Sequence, residues 1–174
     1  MIVSLRKLKA SIETTLPDEV LEDDLKAIEQ MVRRYTNNNF QIRAKRTDCR
    51  IEDGKVYVQN ALFAPEDTVE ISESLYSNGV YTVKEVKDGF IMLDEALTEE
   101  NHVLVTLVRY PADVQKGVIN LMKWDMEYRN KVGIASETLS RHSVTYFDMN
   151  GDNSVMGFPK ALMGFLKSYR KARF

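Results

Sequence analysis

Apolar side chains at Leu21, Leu25, Ile28, Val32 and Tyr35 recur at spacings of four and three, which lines them along one stripe of an α-helix over 18–35. Carboxylates at Asp18, Glu19, Glu22, Asp23 and Asp24 crowd its first turns. Arg33 and Arg34 lie near its end, so both charge types sit where the helix dipole favours them. Asn37-Asn38-Asn39 then predicts the stop. Upstream, Leu5, Leu8 and Ile12 predict a short amphipathic helix ending before Pro17.

Beyond residue 40 the period shortens to that of strands, with β-rich runs at 40–47, 55–58, 68–72, 80–86, 90–93 and 103–108. Glu52-Asp53-Gly54, Ser77-Asn78-Gly79 and Lys87-Asp88-Gly89 separate several of them, each placing Gly after a short polar residue to supply a positive φ. Short strands at such spacing predict a small antiparallel sheet, or a barrel. After Tyr110 the helical period returns, with Pro111 at the first helical position. Val114, Val118, Ile119, Leu121, Met122 and Met126 make a broad apolar face that predicts burial between neighbours. That helix is expected to end near Gly133. Residues 143–147 read as extended before a turn at 148–152, and a last helix is expected over 159–171. The fold class is therefore α+β, a small helical bundle with an inserted small antiparallel β-sheet or barrel.

Composition adds limits rather than identity. The 174 residues are 44% hydrophobic and 29% charged, which suits one domain, or a small domain inserted in another, and excludes disorder. With 24 basic against 26 acidic residues the net charge is −2, too balanced for a general nucleic-acid coat, so any such contact must be local. The single Cys49 makes no internal disulfide, and a reduced compartment fits best. The absence of a long apolar run and of a basic-then-apolar start predicts no membrane span and no cleaved leader.

Candidate chemistry is sparse. His102 and His142 lack partners at zinc-ligand spacing, and no phosphate loop, dinucleotide fingerprint or nucleophile elbow occurs, so no catalytic, cofactor or metal residue is assigned. Cys49 reads as packing. Asp148-x-Asn150-Gly151-Asp152 resembles a calcium loop only superficially, since Gly stands fourth rather than sixth and Pro159 occupies the place of the bidentate Glu. The acids Glu19, Glu22, Asp23 and Asp24 read as a solvated helix start.

The C-terminal stretch is the most informative. Phe158, Leu162, Phe165, Leu166 and Tyr169 fall on one face of the expected helix, with Lys160, Lys167, Arg170 and Lys171 largely opposite and Arg173 following. No acid interrupts them. Such a helix either docks on its own core with a solvated basic side, or offers its apolar face to a partner groove, or contacts nucleic acid or an anionic membrane.

Three segments then resemble the head-tail connector, or adaptor, proteins of siphophages and related prophages. They are residues 27–36 with Phe40 beyond; the helix 112–129 after Tyr110-Pro111; and residues 133–146, with Ser136-Glu137 and then Ser143-Val144-Thr145-Tyr146. The resemblance implies a connector core of 1–47 and 109–174, ending in a portal-docking helix, with 48–108 as an inserted β-subdomain. It implies a structural virion protein and no catalysis or cofactor: a homo-oligomeric ring of about twelve subunits under the portal vertex, joining the DNA-filled head to the tail neck. Its partners would be the portal protein and a head-closure (stopper) or tail protein. Genomic duplex DNA would pass through the lumen without specific recognition, and no membrane would be involved. The protein would sit at the head-tail junction, and in the host cytoplasm before assembly. Phe158, Leu162, Phe165, Leu166, Tyr169, Lys167, Arg170, Lys171 and Arg173 would meet the portal. The alternatives are a small nucleic-acid-binding regulator using the basic C-terminal helix, and a head-closure or tail-terminator protein, the latter expected to be mostly β.

Overall fold

In the computed structural model, which describes residues 1–58, 62–131, 136–139, 142–145 and 152–172, the chain forms two units. One comprises Met1 with Gln41–Tyr110; the other comprises Ile2–Phe40 and the chain from Pro111 onward.

The first unit is a closed antiparallel barrel. Its strands are β1 (Ile42–Glu52), β2 (Lys55–Tyr57), β3 (Thr68–Ser72), β4 (Gly79–Lys87), β5 (Phe90–Leu93) and β6 (Glu100–Arg109), in the order β1-β2-β5-β4-β3-β6 with β6 returning to β1. Alternation along each strand sends Cys49, Ile51, Val56, Val69, Ile71, Val83, Ile91, Leu93, Val103, Val105 and Leu107 into one core. Closure pairs the edges that a six-stranded open sheet would expose. Asp53 (φ 51°) and Gly54 (φ 70°) form the two-residue β1–β2 turn, with Glu52 opposite Lys55. Gly79 departs from expectation: it begins β4 without a left-handed φ. A Cβ there would lie 3.0 Å from the Tyr81 hydroxyl, so the small side chain leaves room for that ring.

The barrel takes in Gln41–Tyr110 rather than 48–108. The reason is the length of β1, which pairs with β6 from Ile42 opposite Arg109 to Ile51 opposite Glu100. The strand expected over 40–47 thus belongs to the barrel and runs on to Glu52, an extension its polar sequence hides because only Cys49 and Ile51 enter the core.

The second unit is built on α2 (Asp18–Thr36) and α3 (Ala112–Tyr128), with the short α1 (Leu5–Lys9) packed on α2. Leu21, Leu25, Ile28, Val32 and Thr36 form the buried stripe of α2; Tyr35 is only half-buried. Asn37 stops the helix in the left-handed conformation, φ 51°. Val114, Gly117, Val118, Leu121 and Met122 are the buried positions of α3, which ends at Tyr128 in a 3-10 turn, Arg129–Lys131. Gly133 and the turn residues 148–151 lie outside the described residues. The short strands β7 (Ser136–Leu139) and β8 (His142–Thr145) pair antiparallel with each other.

The expected C-terminal α-helix is not formed. Instead β9 (Ser154–Val155) and β10 (Phe158–Pro159) make a hairpin around Met156 (φ 53°) and Gly157 (φ 79°), and a 3-10 helix, Gly164–Tyr169, follows. Pro159 donates no amide, and the links from Leu162 to Pro159, Met163 to Lys160 and Leu166 to Met163 all span three residues. A period of three puts Met163, Leu166 and Tyr169 on one side. Phe165 lies over α3, where a Cβ on Gly117 would overlap its ring.

Glu29 is the buried carboxylate of α2, 5% exposed, and accepts the Val3 amide at 3.0 Å. Burial pushes its carboxyl above the ordinary range, against the pull of the Val3 amide and Arg33.

Two predictions follow from this packing. Gly117→Ala normally adds up to about 1 kcal/mol to a helix, but here it is expected to destabilise by about 1–3 kcal/mol by displacing Phe165. Denaturant unfolding of Gly117→Ala, Phe165→Leu and the double variant reads the coupling, and additive effects would contradict the contact. For Glu29 the folded carboxyl titrates above its unfolded value near 4.5, so its ionisation costs stability as pH rises from there through the folded value. Glu29→Gln, which keeps an acceptor for Val3, is expected to gain stability relative to the parent as pH rises across that window; a difference flat with pH would contradict it.

Candidate functional site

Of the nine residues expected to meet a partner, the eight that the structure describes separate into a buried or half-buried set and an exposed set. Phe158 is 2% exposed, with its ring 5.3 Å from that of Trp124 and the Arg129 guanidinium 4.6 Å above it. Leu166 is fully buried, while Leu162, Phe165 and Tyr169 are half-buried. Tyr169 meets Phe40 edge to face at 5.4 Å and donates its hydroxyl to Asp113 at 2.9 Å. Burial, then the Asp113 carboxylate, raises its phenol above the usual value. The apolar side chains therefore pack within their own unit, the first of the alternatives open from the sequence, and do not form a free face.

The exposed set is basic: Lys167, Arg170 and Lys171. Arg173 lies outside the described residues. The end of α2 holds these residues in place. The Lys171 amide donates to the Thr36 carbonyl at 2.8 Å, Asn37 Nδ2 to Ala172 O at 2.8 Å and Asn38 Nδ2 to Tyr169 O at 3.0 Å, while Arg170 stacks on Tyr35 at 5.1 Å. The Asn37-Asn38-Asn39 run thus ends one element and anchors another. With Arg34 exposed on the last turn of α2, these cations gather where the helix dipole is negative. The surface is suited to an acidic protein face or to phosphates.

The other candidates are accounted for locally. Cys49 is 5% exposed and burial pushes its thiol up to about 11, so it stays protonated at neutral pH. It borders an open surface pocket of about 340 Å³ on the barrel unit, together with Arg50, Tyr57 and Val58. His102 stands between two exposed carboxylates, Asp48 at 2.9 Å and Glu73 at 3.5 Å. His142 lies on β8. Among the described residues no group of three or more His, Cys, Asp or Glu is arranged to hold a metal. The acidic start of α2 is laced to neighbouring cations, Asp18 to Lys9 at 2.5 Å and Glu22 to Lys26 at 3.8 Å. No described helix is long and apolar enough to cross a membrane.

Sequence reasoning missed the Arg129 and Trp124 clamp on Phe158 and the buried Glu29. Gly157, able to take a positive φ, could have marked a turn ahead of Phe158, but no local signal marks the clamp or Glu29, which depend on contacts distant along the chain. Compared with models of known protein families and with curated proteins, the chain matches none.

Because Phe158, Met163 and Leu166 are core residues, removing the chain after Gly157 does more than remove a docking arm. Such a truncation is expected to lose cooperative unfolding of the helical unit in a thermal or urea melt, since each buried apolar side chain lost costs about 2–5 kcal/mol. A truncated chain as stable as the parent would contradict the assignment.

Proposed function

We propose that the chain is a head-tail connector (adaptor) subunit of a phage or prophage virion. In this reading it forms a homo-oligomeric ring under the portal vertex, joins the DNA-filled head to a stopper or tail protein, and surrounds DNA without reading its sequence. The observation that carries the reading is how the chain divides. All three segments with connector resemblance fall in the unit made from the two chain ends, which this proposal takes as the compact helical bundle of the family. The intervening stretch closes as a barrel with its own core.

Two further features support it. The β7–β8 hairpin lies in the segment of strongest resemblance and pairs with no other described strand. Two-stranded hairpins are marginal alone in water, and a neighbouring subunit is the simplest completion. The basic surface of Lys167, Arg170 and Lys171 suits an acidic portal face, whereas Phe158, Phe165, Leu166 and Tyr169 hold that surface in position. Helix and strand are nearly balanced, so the distinction from a head-closure or tail-terminator protein rests on the helical unit and not on strand content.

Reversing the exposed charges tests the reading without touching the core. Lys167→Glu with Arg170→Glu and Lys171→Glu is expected to leave the melting profile near that of the parent. Attachment of purified heads to tails should fall by about tenfold or more, and the parent's attachment should weaken with added salt. Unchanged attachment by the folded variant would overturn it.

A further inference from the structure

The barrel carries a feature that its closure does not require. Between β3 and β4, residues 74–78 hold Leu75 at 84% exposure and Tyr76 at 73%. Large apolar side chains this exposed usually belong to mobile tips, whereas these are tied down. The Glu100 carboxylate on β6 accepts the Ser74 hydroxyl and the Leu75 amide, the latter at 2.7 Å. The Ser74 oxygen in turn accepts the Tyr76 amide at 3.1 Å and the Ser77 amide at 2.6 Å. Asn78 closes the loop across Ser74, its Oδ1 accepting the Ser74 amide at 3.1 Å and its Nδ2 donating to the Ser74 carbonyl at 2.5 Å. The Tyr81 hydroxyl donates to Ser77 O at 3.0 Å. Glu73, at the loop's entrance, sits at φ 60°, a left-handed conformation that a non-glycine residue adopts at a cost.

We propose that this loop is a preformed docking knob that inserts Leu75 and Tyr76 into an apolar pocket with a basic rim on another protein. The order is already present in the free chain, so binding loses little additional conformational freedom. Tyrosine set in a well-packed pocket is among the residues that contribute most at interfaces. The rim decides the partner. Glu73 and Glu100 touch the loop, and Asp94 and Glu95 lie close enough to raise the Tyr81 phenol after burial has done so. His102 sits at this rim, held between Asp48 and Glu73. This acidic collar opposes an anionic membrane and opposes the same loop on a second copy, and it complements lysine and arginine around the receiving pocket.

The inference stands independently of the connector reading. The test places the photo-crosslinker p-benzoylphenylalanine at Tyr76 in the full chain, expressed in the cells that make it, with Lys84, also exposed on β4, as the control position. Irradiation is expected to give one dominant adduct, mapped by mass spectrometry to an apolar pocket flanked by basic residues on a different protein. Ser74→Ala, which unlocks the loop and leaves Leu75 unchanged, should lower that yield by about threefold or more, with the circular dichroism spectrum retained. Adducts spread over many proteins at the Lys84 level, adducts with lipid or with another copy of this chain, and a yield insensitive to Ser74→Ala would each overturn the knob. A mapped basic-rimmed pocket on a protein outside the virion would keep the knob and count against the connector.

Discussion

Everything in this architecture depends on the pairing of β1 with β6. Ile42 stands opposite Arg109, so the first residues of the barrel and its last lie side by side. A chain that leaves one unit at Phe40 and resumes it at Pro111 needs such a closure, because otherwise the two halves of the helical unit would be held apart by the stretch between them. Antiparallel pairing of the first and last strands meets that need at no extra length and completes the barrel with the same hydrogen bonds.

Within the helical unit the corresponding tie is the C-terminal segment. Phe158 under Arg129, Phe165 over Gly117, and Lys171 bonded to the end of α2 fasten the last described residues to both long helices. The 3-10 geometry matters, since an i,i+3 repeat turns Met163, Leu166 and Tyr169 inward and leaves Lys167 and Arg170 outside. Packing therefore produces the basic surface. In the proposed connector the apolar residues fix where the charges stand, and the charges meet the partner.

Legibility followed the number of signals that agreed. The stripe of α2 was readable because period, dipole-matched charges and the Asn stop coincided. The β2, β3 and β5 runs were readable from alternation bounded by turns. The first half of β1 was readable as the run at 40–47, but its continuation to Glu52 was not, because only Cys49 and Ile51 of this polar strand enter the core. The C-terminal segment misled more sharply. Its apolar spacing suits an α-helix nearly as well as a 3-10 helix, and only Pro159 and the Met156-Gly157 turn, both local, disfavour the former. Of the nine expected partner residues, spacing could identify the apolar and basic members but not the direction in which they faced, which tertiary packing decides. Leu75 and Tyr76 escaped notice because a polar turn sequence surrounds them, and the hydrogen bonds that fix them reach to Glu100, far along the chain.

The connector account is tested most directly by locating the protein. Gold-labelled antibody against the chain, applied to purified phage particles from its source and imaged by negative-stain electron microscopy, is predicted to mark the head-tail junction and no other part of the particle. Infectious particles that carry no label there, with the antibody shown to bind the folded protein, would contradict the account.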